Sequence, residues 1–127
     1  MRMKLKNLYL LNTVLALVFA LGLFLMTPIM LKLFGMNNTK DTVTLSQFIA
    51  VELVVSGLTT FLARDVADRA ARNAINTGNM IAGVLGFIVA LNATLSGVMG
   101  WFGYVVVVIY AVIAVGFAYF QFFGPAD

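Results

Sequence analysis

From Met80 to Phe123 the chain carries no charged side chain. As one α-helix that stretch would be about 66 Å long, roughly twice the ~30 Å thickness of a bilayer's hydrocarbon core. A run of this kind must cross a membrane, fold back and cross again. The fold-back is expected at Ser96-Gly97-Val98-Met99-Gly100-Trp101-Phe102-Gly103, where glycines allow a tight turn and Trp101, Phe102 and Tyr104 suit the interface. A second aromatic group, Tyr119, Phe120, Phe122 and Phe123, precedes the Gly124-Pro125 stop.

The rest of the chain agrees. Of 127 residues, 62% are hydrophobic and 10% charged, with mean hydropathy +1.02. Soluble domains average about 45–50% apolar and about 25% charged residues, and a small one keeps much of its surface exposed. The expected fold is all-α, an integral membrane four-helix bundle forming a single membrane domain over residues 1–127. With neither Cys nor His, the chain lacks disulfides, thiolate nucleophiles, the commonest metal ligand and the commonest general base. It is therefore expected not to be an enzyme, and no metal or cofactor site is assigned. An apolar pigment, quinone or lipid held by packing alone stays open.

The spans are expected at about 8–26, 45–62, 80–97 and 101–123. The first apolar run continues from Leu8 to Phe34, about 40 Å as helix, so a break is expected at Thr27-Pro28. No small-residue cleavage pattern follows it, which favours a retained span over a secretory signal. The second helix has a start signal at Thr44 and Gln47, spaced as a capping box, with Val43 and Phe48 placed as its hydrophobic staple. After it, residues 63–75 form an Ala-rich charged segment in which Arg64–Asp68, Asp65–Arg69 and Asp68–Arg72 are spaced i,i+4. This predicts a short cytoplasmic helical connection, with Asn76-Thr77-Gly78-Asn79 turning the chain. Arg2, Lys4, Lys6, Arg64, Arg69 and Arg72 would then share one side, against Lys32 and Lys40 on the other. The Lys/Arg bias places both termini in the cytoplasm, for a multi-pass protein of the cytoplasmic (inner) membrane. No basic face suggests nucleic-acid binding.

Glu52 is the anomaly, a carboxylate within Gln47-Phe48-Ile49-Ala50-Val51-Glu52-Leu53-Val54-Val55-Ser56-Gly57. An ionised carboxylate inside a span costs at least a few kcal/mol, roughly 2.5–3.5 on insertion scales. Reckoned from Leu45 and Trp101, Glu52 and Tyr110 lie about 10 Å and 13 Å deep, with Asn92 at a similar level. These three, with Ser56 one turn beyond Glu52, form the candidate polar site, expected to face the bundle interior as a neutral hydrogen-bonded group. Gly78, Ala82, Gly86, Ala90 and Thr94 recur every four residues and form the expected helix-packing seam. Ala16, Ala20, Ala111, Ala114 and Ala118 are its candidate counterparts.

The residues Phe61 to Ile75, "FLARDVADRAARNAI", together with "LSGVMGWFGY" and "GFAYFQF", resemble a group of uncharacterised small four-span bacterial membrane proteins. That resemblance brings no activity and no site residue. Two functions are open from the sequence. The favoured one is a small non-catalytic membrane protein, structural or accessory, assembling with itself as a homo-oligomer or with a larger membrane complex in the lipid bilayer. The alternative is a small proton-linked transporter or apolar-ligand-binding bundle using Glu52.

Overall fold

Pro28 lacks the N–H that would continue the first helix, and the chain breaks just before it. In the computed structural model, which describes residues 4–124, α1 runs Leu5–Leu25 and α2 Thr27–Leu33. Met26 leaves helical geometry between them (φ −123°, ψ 38°), and Thr27 Oγ1 donates to the Leu23 carbonyl at 2.6 Å. Arg2 and Pro125, read above as part of the topology signal and as a stop, lie outside the described residues.

α3 (Lys40–Leu62) begins earlier than Thr44. Thr39 is its N-cap, accepting from the Thr42 amide at 3.2 Å, while the Thr42 hydroxyl accepts from the Thr39 amide at 2.9 Å. This reciprocal pair, with Asp41 in the first turn, outcompetes the later signal. Thr44 consequently sits inside the helix, donating back to the Lys40 carbonyl at 2.8 Å.

The expected connection over 63–75 is also placed differently. Ala63 to Asp68 make the turn, and α4 runs without interruption Arg69–Leu95. Asp68 caps it, its carboxylate accepting from the Ala71 amide at 3.0 Å. The Ala/Arg segment from Arg69 is thus the start of the third long apolar helix, and Asn76-Thr77-Gly78-Asn79 is helical rather than a turn. Two of its asparagines have side-chain partners in this helical arrangement. Asn79 Nδ2 donates to the Ile75 carbonyl at 2.9 Å, and Asn76 Oδ1 accepts from Tyr9. Arg64–Asp68 and Asp65–Arg69 straddle the helix boundary and do not act as helical pairs.

α5 (Phe102–Phe122) follows the expected glycine turn, in which Gly97 adopts φ +81°. Gly35, at φ +72°, ends α2 beside that turn, and the Gly100 amide donates to the Phe34 carbonyl at 2.9 Å. Close approach of the two glycine backbones joins the loops at this end of the molecule.

Four of the helices, α1, α3, α4 and α5, are long and apolar enough to cross a membrane. They pack as two antiparallel pairs, α1 with α3 and α4 with α5, which meet where α1 touches α5. α3 and α4 flank the arrangement and hardly touch each other. One apolar cluster (Leu5, Leu8, Tyr9, Ile113, Phe117, Phe120) fills the end nearer the termini, and another (Ala20, Leu23, Phe34, Ala50) the opposite end.

The seam on α4 follows only part of the expected row. Gly86 lies under the Tyr110 ring, Ala90 and Thr94 are buried, and Thr94 packs on Gly103. Ala82 is exposed, and nothing stands within 4 Å of where a Gly78 Cβ would be. Steps of four residues rotate about 40° per step around a 3.6-residue helix, so such a row leaves the contact line after two or three turns. At the level where it leaves, Gly83 takes over and rests on the backbone of Ala114. On α1, Ala16 and Ala20 are buried, Ala16 beside Gly57 and Ala20 with Ala50.

Candidate functional site

Glu52 lies near the middle of α3, twelve residues after Lys40 and ten before Leu62, about 18 Å and 15 Å from the helix ends. That is deeper than expected, because the helix starts earlier. Its side chain is exposed on the outer surface of α3 and makes no hydrogen bond or ion pair among the described residues. The same face carries Leu45, Phe48, Ile49, Val55 and Leu62, each more than half exposed (62, 67, 53, 57 and 75%). α3 turns its small side, Ala50, Gly57 and Thr60, to α1, and its larger residues point away.

The other residues of the expected site are not gathered around Glu52. Tyr110 is half-buried over Gly86 in the α4–α5 seam, and its hydroxyl has no hydrogen-bond partner among the described residues. Asn92 is exposed on α4, and its side chain makes no hydrogen bond among the described residues, while its main-chain carbonyl accepts from the Ser96 amide. Ser56 is half-buried and belongs to a different polar group. The expectation of Glu52 bonded to Tyr110 or Asn92 inside the bundle is therefore corrected. Equal depth put these residues at one level, but helix rotation points them to separate surfaces.

The polar group that does form is built on α1. Tyr9, Asn12, Thr13, Ala16 and Ala20 share one face at helical spacing, and all are buried. Asn12 Nδ2 donates to Ser56 Oγ and Thr60 Oγ1, both at 3.2 Å. Thr13 Oγ1 lies 3.0 Å from Thr60 Oγ1 and 3.1 Å from the Gly57 carbonyl. Thr60 is fully buried and can return its proton to the Ser56 carbonyl at 3.1 Å. One turn nearer the terminus, Tyr9 OH donates to Asn76 Oδ1 at 2.9 Å, tying α1 to α4. The sequence signal was present. Asn12 and Thr13 near the start of α1 match Thr60 near the end of antiparallel α3, but Asn76 was hidden in a segment with the composition of a turn.

At the same end, the Ala63–Asp68 turn meets the start of α1. Lys6 Nζ bonds Asp65 Oδ1 at 2.7 Å, and Arg64 Nε lies 3.5 Å from Asp65 Oδ2. The Lys6 hydrogen bond is the main reason the Asp65 carboxyl is held below its ordinary range, with the Lys6 and Arg64 charges adding to it. Because the folded-state value is depressed, this contribution to stability is complete above the ordinary carboxyl range and fades as pH falls through the folded-state value. Both side chains are largely exposed, so the pair adds little to stability. Lys6→Met is expected to move the Asp65 titration back upward, read from its carboxyl carbon by NMR. An unmoved titration would show that Lys6 is not its partner.

Among the described residues, no three acidic, His or Cys side chains gather as metal ligands would. A cleft of about 280 Å³ opens beside the Lys6–Asp65 pair, and an apolar groove of about 380 Å³ lies between α4 and α5. Neither includes Glu52. Comparison with protein-family models, with curated proteins and with solved structures finds no match to this chain.

Proposed function

We propose that the chain is a non-catalytic subunit of a membrane assembly, and that the Glu52 face of α3 docks against another transmembrane helix. One observation carries this reading: a carboxylate near the middle of a span is exposed, with no hydrogen-bond or ion-pair partner among the described residues. Intramembrane acids face a bundle interior, a water-filled cavity or a partner, because hydrocarbon satisfies none of their hydrogen-bonding capacity. Among the described residues Glu52 faces outward, and neither cleft reaches it. A helix docked on this face would bury Glu52 together with Phe48, Ile49 and Val55, and would donate to the carboxyl. That helix belongs to a second copy or to another protein of the complex. The transporter alternative has no comparable support, since it needs an aqueous path to Glu52.

The same reading puts the protein in the cytoplasmic membrane with both termini inside, an orientation that the Lys/Arg bias supports. Lys4, Lys6, Arg64, Arg69 and Arg72 all fall at the terminal end of the helices, against Lys32 and Lys40 at the other. Native mass spectrometry of protein extracted in native nanodiscs tests the assembly. Wild type and Glu52→Gln are expected in a complex of fixed stoichiometry. Glu52→Leu, which removes the hydrogen-bonding group, is expected to weaken that complex about tenfold. Wild type and both variants all running as isolated single chains would contradict the reading.

A further inference from the structure

We propose that the helix covering Glu52 is α3 of a second copy, which deepens the assembly reading and rests on it. The spacing around Glu52 points to that helix. Leu45, Phe48, Glu52, Val55, Thr59 and Leu62 follow one another at alternating steps of three and four residues. In a heptad, Leu45, Glu52 and Thr59 take the a positions and Phe48, Val55 and Leu62 the d positions. All six are exposed in the isolated chain, on the side of α3 away from α1. From Leu45 to Leu62 the seam is about 26 Å long, most of the ~30 Å hydrocarbon core.

α3 already uses this spacing once. Ser46, Ala50, Gly57 and Thr60 form a second row of the same period, and that row is buried against α1. A mean step of 3.5 residues is the period that left-handed helix pairs bury, in water and in lipid. The outer row has the same geometry and stays uncovered in the isolated chain. Glu52 and Thr59 are its two polar members, about two turns apart. Neither side chain makes a hydrogen bond or ion pair among the described residues.

Self-complementarity selects a copy of the same chain. Parallel two-stranded seams bring each a residue against the same residue of the other strand. A two-fold axis along the bilayer normal therefore sets Glu52 beside Glu52 and Thr59 beside Thr59 at equal depth. Both groups can pair with their own kind. A hydroxyl donates and accepts, and so does a carboxyl that keeps its proton. Copies carry the same Lys/Arg bias and enter the membrane the same way round, so their α3 helices run parallel. No cation is needed at Glu52, and a second copy brings none. Among the described residues every Lys and Arg lies in a loop, at a cap or in the first or last turn of a helix. A polar a position fixes register and strand number at some loss of stability, which accounts for an acid in this seam.

The test is disulfide cross-linking of single-cysteine variants of the full chain, each co-expressed with two different tags and oxidised in the membrane. The chain has no native cysteine, so a bond between copies reports the introduced position. Val55→Cys and Thr59→Cys are expected to give a product that carries both tags. Val54→Cys, at nearly the same depth but off the seam, is expected to give little, its Cα lying too far from its counterpart. Glu52→Leu added to Thr59→Cys is expected to lower the product about tenfold. All four positions are exposed, so these changes leave the α1–α3 contact alone. As much product from Val54→Cys as from Val55→Cys overturns the seam, and product undiminished by Glu52→Leu overturns the pairing of the acids. No doubly tagged product, with spin labels at Phe48 and Val55 still shielded from bilayer oxygen, overturns the second copy and leaves the assembly reading standing. No such product, with both labels fully accessible, overturns the two together.

Discussion

Gly83→Ala is expected to destabilise the protein by about 1–3 kcal/mol, the cost of overpacking a close helix contact. Gly78→Ala, five residues away on the same helix, is expected to stabilise it by about 0.4–1 kcal/mol. A Cβ on Gly83 would stand 2.8 Å from the amide nitrogen and 2.9 Å from the Cα of Ala114, a backbone that cannot swing aside as a side chain can. A Cβ on Gly78 meets open space, and the substitution removes only the conformational freedom of a helical glycine. Gly83→Leu would force α4 and α5 apart along most of their length. Trp101, the only tryptophan, sits in the turn between these helices, so its fluorescence during denaturation by SDS reports the separation directly. Equal effects of Ala at Gly83 and Gly78 would mean that α4 presents a different face to α5.

Tyr9→Phe is expected to cost about 1–3 kcal/mol. The average hydrogen bond between membrane helices contributes only about 0.6 kcal/mol, but this change does more than remove a bond. It leaves Asn76 Oδ1 without its donor in a site where Tyr9 and Asn76 are 1% and 2% exposed. Asn76→Leu should cost a similar amount by stranding the tyrosine hydroxyl. The double variant should cost clearly less than the two singles together, with a coupling of about 0.5–3 kcal/mol in a double-mutant cycle. Strict additivity would show that the two side chains do not bond.

These two predictions differ in how far the sequence foretold them. Four long apolar helices, the break before Pro28 and the glycine turn before Phe102 follow from length, hydropathy and backbone chemistry, and the structure has each of them. Helix starts were harder to place, because neighbouring polar residues compete to cap. Thr39 and Thr42 prevailed over Thr44 and Gln47, and Asp68 drew the turn forward from Asn76-Thr77-Gly78-Asn79. Rotation was the least legible quantity. A depth estimate fixes how far along a helix a residue lies, but an apolar span in lipid shows little amphipathic contrast to say which side faces its neighbour. Glu52, Tyr110 and Asn92 therefore shared a level on paper and point to different surfaces in the fold. Asn12, Thr13 and Thr60, equally polar, lie on the seam, where small neighbours let α1 and α3 approach.

The exposed carboxylate and the proposed role stand together. If the Glu52 face docks on another helix, that face is shielded from lipid in the membrane where the protein works. The chain contains no native cysteine, so single cysteines at Phe48, at Val55 and, as a lipid-facing reference, at Val108 of α5 can carry spin labels without background. All three positions are strongly exposed in the isolated chain, at 67, 57 and 60%. The decisive measurement is the accessibility of these labels to oxygen dissolved in the bilayer, in membranes of the cells that make the protein. The account predicts that labels at Phe48 and Val55 are protected relative to Val108, and that Glu52→Leu removes the protection. Equal, high oxygen accessibility at all three positions would contradict it, because Glu52 would then face lipid with no partner.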